Sequence, residues 1–129
     1  MKYLLAFVML FASPSWAEWE LIGTTDDEEV YIDMDTLRIS NDLRMDNSLR
    51  RVWTLTNRSK KGRQGEMSLR ILREIDCKQE RIRVLSMTGF TGAMSNGSSL
   101  PTYRGDNDPW DYIAPKTFAH YFYLKACAK

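Results

Sequence analysis

Cys77 and Cys127 are the only cysteines in a chain of 129 residues, and they follow an N-terminus built like a secretory leader. In an oxidising compartment such a pair is expected to close into a disulfide, and no other feature constrains the fold as strongly. In the chain-entropy model, closing the loop between positions 77 and 127 stabilises the native state by roughly 4 kcal/mol. That is a large share of a typical domain's stability of about 5 to 15 kcal/mol. The C-x-x-C spacing that tunes a reactive thiolate is absent, so the pair reads as a structural staple rather than a redox centre.

The leader carries the compartment argument. Met1 and Lys2 form a short positive region, Tyr3 to Ala12 an apolar stretch, and Ser13-Pro14-Ser15-Trp16-Ala17 a breaker followed by small residues. Cleavage is expected between Ala17 and Glu18, dividing the chain into a signal peptide, 1–17, and one domain, 18–129. The apolar run falls short of the ~20 residues that cross a bilayer, and no other stretch is apolar enough to serve as a transmembrane segment. No cysteine follows the cut, so lipid attachment at the mature N-terminus is not expected. The sequence thus points to an exported protein, periplasmic or secreted. Loss of Lys2 cancels the formal net charge of +1, which gives no general attraction to nucleic acid. The ordinary hydrophobic share of 43% argues against charge-driven disorder.

From Glu18 onward the dominant pattern is period two, which places side chains alternately on the two faces of a strand. Trp19 and Leu21 alternate with Glu18 and Glu20, and after the acidic turn Thr24 to Glu29 the run Val30 to Met34 alternates again, predicting a hairpin. Asp33 and Asp35 carry short carboxylates that bond nearby amides, predicting a tight turn before Leu37-Arg38-Ile39. Leu43 and Met45 suggest a short strand within an Asn- and Asp-rich stretch. Leu49, Trp53 and Leu55 share one face of the next strand, with Arg50, Val52, Thr54 and Thr56 on the other. The clearest strand follows: Met67, Leu69, Ile71, Ile75 and Cys77 fall on one face, interrupted only by Arg73. After a reversal at Lys78-Gln79 the chain runs back from Arg81 to Phe90. Gly89, Gly92 and Gly97 then end regular structure, Leu100 to Pro109 reads as a long loop, and Trp110 to Ile113 as an edge strand.

At Pro115 the period changes. Proline in a first helical turn forfeits no hydrogen bond, and Thr117 to Cys127 contains no Gly or Pro, so a short aromatic-rich helix is predicted there. Lys125 and Lys129 near its end suit the helix dipole. An antiparallel sheet with one apolar face needs such a cover. The fold class that follows is α+β: an antiparallel β-sheet of about six strands covered by a C-terminal α-helix, tied to the sheet by the disulfide.

The search for catalytic or metal chemistry returns little. His120, the one histidine, sits among aromatics on the predicted helix, which favours packing over general base catalysis. With the cysteines paired, too few ligands remain for a His/Cys metal site. Asp26-Asp27-Glu28-Glu29 lacks EF-hand spacing and reads as a solvated turn, and the glycines at 89 to 97 are not followed by the Lys-Ser or Lys-Thr of a phosphate loop. No nucleophile, base and orienting group recur at a recognisable spacing. A non-enzymatic protein with no cofactor and no metal is the expectation.

Two loops remain as candidate binding elements. Arg58, Lys60, Lys61 and Arg63 put four positive charges on the connection between two strands, which suits an acidic polysaccharide or protein surface. The loop after Gly97 contributes Tyr103 and Arg104, with Asp106 and Asp108 nearby; long loops carry function more often than the strands they join.

The assembled pattern resembles the surface-adhesin protein E family of bacterial envelope domains. The residues that carry the likeness are Trp19, Tyr31-Ile32-Asp33, Thr36-Leu37, Arg51-Val52-Trp53-Thr54-Leu55, Glu74-Ile75-Asp76-Cys77, Arg81-Ile82-Arg83, Tyr112-Ile113-Ala114-Pro115 and the terminal helix with Cys127. Their order and spacing, rather than any one motif, make the match. The resemblance implies a six-stranded antiparallel sheet bridged to a C-terminal helix, and attachment to host extracellular-matrix proteins or cells. It departs in two respects: the adhesin type is lipid-anchored and the cysteine this needs is missing, and no adhesin binding segment is matched residue by residue. Two functions from different classes follow: an exported binding protein whose loops contact host matrix or cell-surface macromolecules, and a soluble periplasmic domain with a structural or small-ligand-binding role.

Overall fold

The strand with the cleanest alternation, now β4 (Ser68–Asp76), lies at the heart of the sheet. The computed structural model describes residues 18–40, 48–105 and 108–128; the leader, the strand expected at Leu43 and Met45, Asp106 and Lys129 lie outside them. In order along the chain come β1 (Glu20–Thr24), β2 (Glu28–Ser40), β3 (Leu49–Arg58), β4, β5 (Arg81–Phe90), β6 (Tyr103–Arg104), β7 (Asp111–Tyr112) and α1 (Phe118–Cys127). Each strand from β1 to β6 pairs antiparallel with the next, so spatial order follows chain order, and β7 joins β6 on the outer side of β5. Two of the seven strands are only two residues long, too short for a period to show in sequence. β6 therefore emerges inside what reads as loop. Gly105 fixes it there: its N–H donates to the Leu85 carbonyl at 2.9 Å, and a Cβ at that position would overlap the Val84 carbonyl oxygen.

Turn chemistry at Asp33 operates without ending the strand. Asp33 Oδ1 accepts from the Asp35 amide at 3.1 Å, and Thr36 Oγ1 donates to the Asp33 carbonyl at 2.6 Å while accepting from the Trp53 amide at 3.0 Å. The register steps from Asp33↔Trp53 to Arg38↔Arg51, so the segment bulges. Thr36 supplies the acceptor that the displaced ladder cannot, and β2 continues. At the other end of the chain, Pro115 stands before the helix rather than within its first turn. Lys116 is left-handed at φ 62°, Thr117 is extended, and its Oγ1 caps α1 by accepting from the His120 amide at 3.3 Å.

Helix α1 lies across β1, β2 and β3. Phe122 and Ala126 point into a cluster with Val30, Ile32, Val52, Ile75 and Ile82, and Phe118, Tyr123 and Cys127 pack around it. The Cys77–Cys127 disulfide, with its Cα atoms 5.7 Å apart, pins the last turn of α1 to the end of β4. No helix among the described residues is long and apolar enough to cross a membrane.

The opposite face of the same strands is built differently. At one end the 3-10 turn Ala93–Ser95 closes over it, held by the Asn57 Oδ1 that accepts from the Met94 amide at 2.8 Å and by Ser68 Oγ, which donates to the Gly92 carbonyl at 2.7 Å. Leu55 and Phe90 are buried beneath. At the other end the register aligns Arg51, Glu74 and Arg83 across β3, β4 and β5, with Asp76 and Arg81 paired one row further on.

Candidate binding surface

The basic connection between β3 and β4 is a loop, as its composition predicts, and its shape is set by Glu66. The Glu66 carbonyl accepts from the Gly62 amide at 2.9 Å, its carboxylate accepts from the Gln64 amide at 3.0 Å, and a Cβ on Gly62 would overlap that carboxylate. Gly65 takes the left-handed conformation, φ 84°, that side-chain-bearing residues avoid. Folding the loop back in this way turns Arg63 toward the sheet.

The six candidate residues do not form one patch. Arg58 and Arg63 meet Tyr103 in an open groove of about 660 Å³ that also contains Gln64 and Glu66 and has Leu69, Met87, Leu100 and Pro101 as its apolar floor. Leu69 and Met87 belong to the helix-bearing face, at the part of β4 and β5 where loops rather than the helix stand above the sheet. Tyr103 donates its hydroxyl proton to Asp108 Oδ1 at 2.6 Å. That hydrogen bond, more than its slight desolvation and the charge of Asp108, raises the phenol above its ordinary value, so it stays a donor at neutral pH. Lys60 and Lys61 line a separate shallow cleft with Asp27 of the β1–β2 turn and Glu28 at the start of β2, and Arg58 borders this cleft as well as the groove. The two turns are joined by the Ser59 amide donating to the Asp27 carbonyl at 2.9 Å. The acidic turn thus offsets part of the charge that the basic loop shows in sequence. Arg104 pairs with Ser86 one step along from Tyr103↔Met87, and neighbouring residues on a strand point to opposite faces. It is exposed on the side of the sheet away from the groove.

His120 is half-buried, its ring stacked on Tyr123 with centroids 6.3 Å apart, a packing role consistent with its place on α1. Among the described residues no three His, Cys, Asp or Glu side chains gather as a metal site requires. Two parts of the surface were not singled out from the sequence. The groove floor is one, because Leu69 and Met87 look like ordinary core residues until the loops are placed. The charged ladder of Arg51, Glu74, Asp76, Arg81 and Arg83 is the other; its only signal is charge at alternate positions of β4 and β5, which reads as a solvated face.

A sequence profile described as surface-adhesin protein E matches residues 19–128. No curated protein sequence matches the chain. Solved structures of Haemophilus influenzae protein E share the fold. One has a TM-score of 0.59 at 12% identity and covers 85% of this chain and 83% of that one. A second crystal form has a TM-score of 0.58 at 13% identity, covering 77% and 80%. Protein E from a non-typeable strain has a TM-score of 0.55 at 12% identity, covering 84% and 75%. With the family profile spanning nearly all of the described sheet and helix, the chain belongs to the surface-adhesin protein E family and is an adhesin-like protein.

Proposed function

We propose that the protein is exported, its leader removed between Ala17 and Glu18, and that it acts without catalysis by binding host extracellular-matrix proteins through the groove between the β3–β4 loop and β6. One observation carries this reading: Arg58 at the end of β3, Arg63 in the loop after it and Tyr103 on β6, far away in sequence, line a single groove with an apolar floor. Cationic side chains over an apolar floor suit an acidic, partly apolar segment of a partner protein. Tyr103 supplies a hydroxyl at the rim and an amphipathic ring of the kind that anchors protein interfaces.

Binding to an immobilised extracellular-matrix extract tests the groove. Arg58→Gln combined with Arg63→Gln is expected to weaken binding about tenfold or more, as loss of charge-assisted hydrogen bonds does. Lys60→Gln with Lys61→Gln is expected to change it less, because neither lysine lines the groove. Equal binding by the Arg58/Arg63 variant and the unaltered protein would remove the groove from consideration. N-terminal sequencing of exported material should begin at Glu18.

A further inference from the structure

The face of the sheet opposite the helix carries arginines in excess of acids. Glu74 is 1% exposed and accepts from Arg51 Nε at 2.9 Å and from Arg83 Nε at 2.9 Å and Nη2 at 2.6 Å. Asp76 is fully buried and accepts from Arg81 Nε at 3.0 Å, and also from the amides of Lys78 and Gln79. Both carboxylates are thus held beneath the surface, while the Arg51 side chain is 49% exposed and those of Arg81 and Arg83 are each 24% exposed. The Trp110 ring lies 4.7 Å from the Arg81 guanidinium and 4.3 Å from that of Arg83, fixing both from a third side. Arg104 stands on the same face, exposed, and its side chain meets no acid among the described residues.

The result is an array of cations across neighbouring strands, three of them oriented by buried carboxylates. Arg51 on β3 and Arg83 on β5 are rooted two strands apart, about 9 to 10 Å, and Arg81 and Arg83 about 7 Å apart along one strand. The carboxylates occupy Nε of Arg51 and of Arg81, leaving the terminal amines of both free of hydrogen bonds to the described residues. A guanidinium held by its Nε presents a fork that matches a tetrahedral oxyanion. Because the orienting carboxylates are already in place, little side-chain freedom remains to be lost when an anion binds.

We infer that this face is a docking platform for a sulfated polysaccharide, separate from the groove. A peptide is less well served here. Recognition of an extended peptide relies on a free strand edge or on side-chain pockets, and β3 and β4 are inner strands with neighbours on both sides. A polysaccharide needs neither: its sulfates meet the guanidinium forks and its rings lie flat over the array. The inference does not rest on the matrix-binding reading, and either can fail alone.

The test is equilibrium binding of the full chain to a size-defined heparin oligosaccharide, with the desulfated oligosaccharide and polyglutamate as controls. Arg51→Gln combined with Arg104→Gln keeps Arg83 on Glu74 and is expected to weaken binding about tenfold or more, while Lys60→Gln with Lys61→Gln leaves it unchanged. Arg51→Lys alone keeps the charge, loses the fork, and should give an intermediate loss. Tight binding of the desulfated form, equal affinity for polyglutamate, or wild-type affinity in the Arg51/Arg104 variant would each overturn the platform. So would loss of binding in the Lys60/Lys61 variant, which would place the ligand at the basic loop.

Discussion

The two faces of this sheet are made from the same strands and solve burial in opposite ways. On the helix side the working contacts are apolar: Phe122 and Ala126 lie against Val30, Ile32, Val52, Ile75 and Ile82, and one arginine of that face, Arg73, has Thr54 and the Phe122 ring as its partners among the described residues. On the other side arginines meet buried carboxylates at Glu74 and Asp76 or aromatic rings at Trp53, Phe90 and Trp110. Arg70, for example, lies 5.4 Å from the Trp53 ring and 5.0 Å from Phe90. The difference separates tasks. A non-directional apolar core holds the helix down, whereas a directional charged network orients groups that stay open to solvent.

The largest effect is expected where the helix side is covalently closed. Replacing both Cys77 and Cys127 with Ala should cost about 4 kcal/mol, read as a shift in the midpoint of urea unfolding. A loss below about 1 kcal/mol would mean that packing alone holds α1 in place. Next comes the charged side. Glu74→Ala takes the shared acceptor from Arg51 and Arg83, and breaking such a buried pair costs about 3 kcal/mol. Because Arg51 is half-exposed, its share of that loss should be the smaller, and Arg51→Ala should cost below about 1 kcal/mol. Equal losses for Glu74→Ala and Arg51→Ala would show that Glu74 is held by Arg51 alone rather than by the ladder.

The helix side was the more legible in sequence, for a physical reason. Apolar residues at alternate positions announce burial directly, so β4, the covering helix and the Cys77–Cys127 staple follow from pattern and compartment. On the charged side alternation is equally regular, yet Ser68, Arg70, Glu74 and Asp76 carry no mark of depth. Ser68 and Asp76 are fully buried and Glu74 is 1% exposed, because partners on β3 and β5 and the 3-10 turn come from elsewhere in the chain. The groove was hidden in the same way. Arg58, Arg63 and Tyr103 were each visible as candidates, but their convergence depends on the fold-back at Glu66 and on β6, whose two residues show no period. Lys60 and Lys61 illustrate the converse, since a charge run in sequence says nothing of the acidic turn that β1 and β2 bring beside it.

Arg73 and Arg83 offer the most direct comparison, because the same substitution should act in opposite directions on the two faces. Burial lowers the Arg73 guanidinium from its ordinary value to about 10, the direction expected of a cation desolvated without a carboxylate to meet it. Its Nε donates to Thr54 Oγ1 at 3.0 Å, and its guanidinium lies 5.0 Å from the Phe122 ring. Met in its place keeps contact with that ring and removes the desolvated charge. Thr54 is not orphaned, since its hydroxyl still donates to the Ile71 carbonyl at 3.1 Å. Exchanging a part-buried charge that meets no carboxylate for an apolar side chain of similar length removes a desolvation cost, so Arg73→Met should raise stability by up to about 1 kcal/mol. Arg83→Met leaves Glu74 buried with only Arg51 and should lower it by about 2 kcal/mol. Urea titration of the two single variants and the double variant decides the matter. If both substitutions destabilise by the same amount, the two faces do not differ in kind, and the Arg73 contacts with Thr54 and Phe122 outweigh the cost of burying its charge.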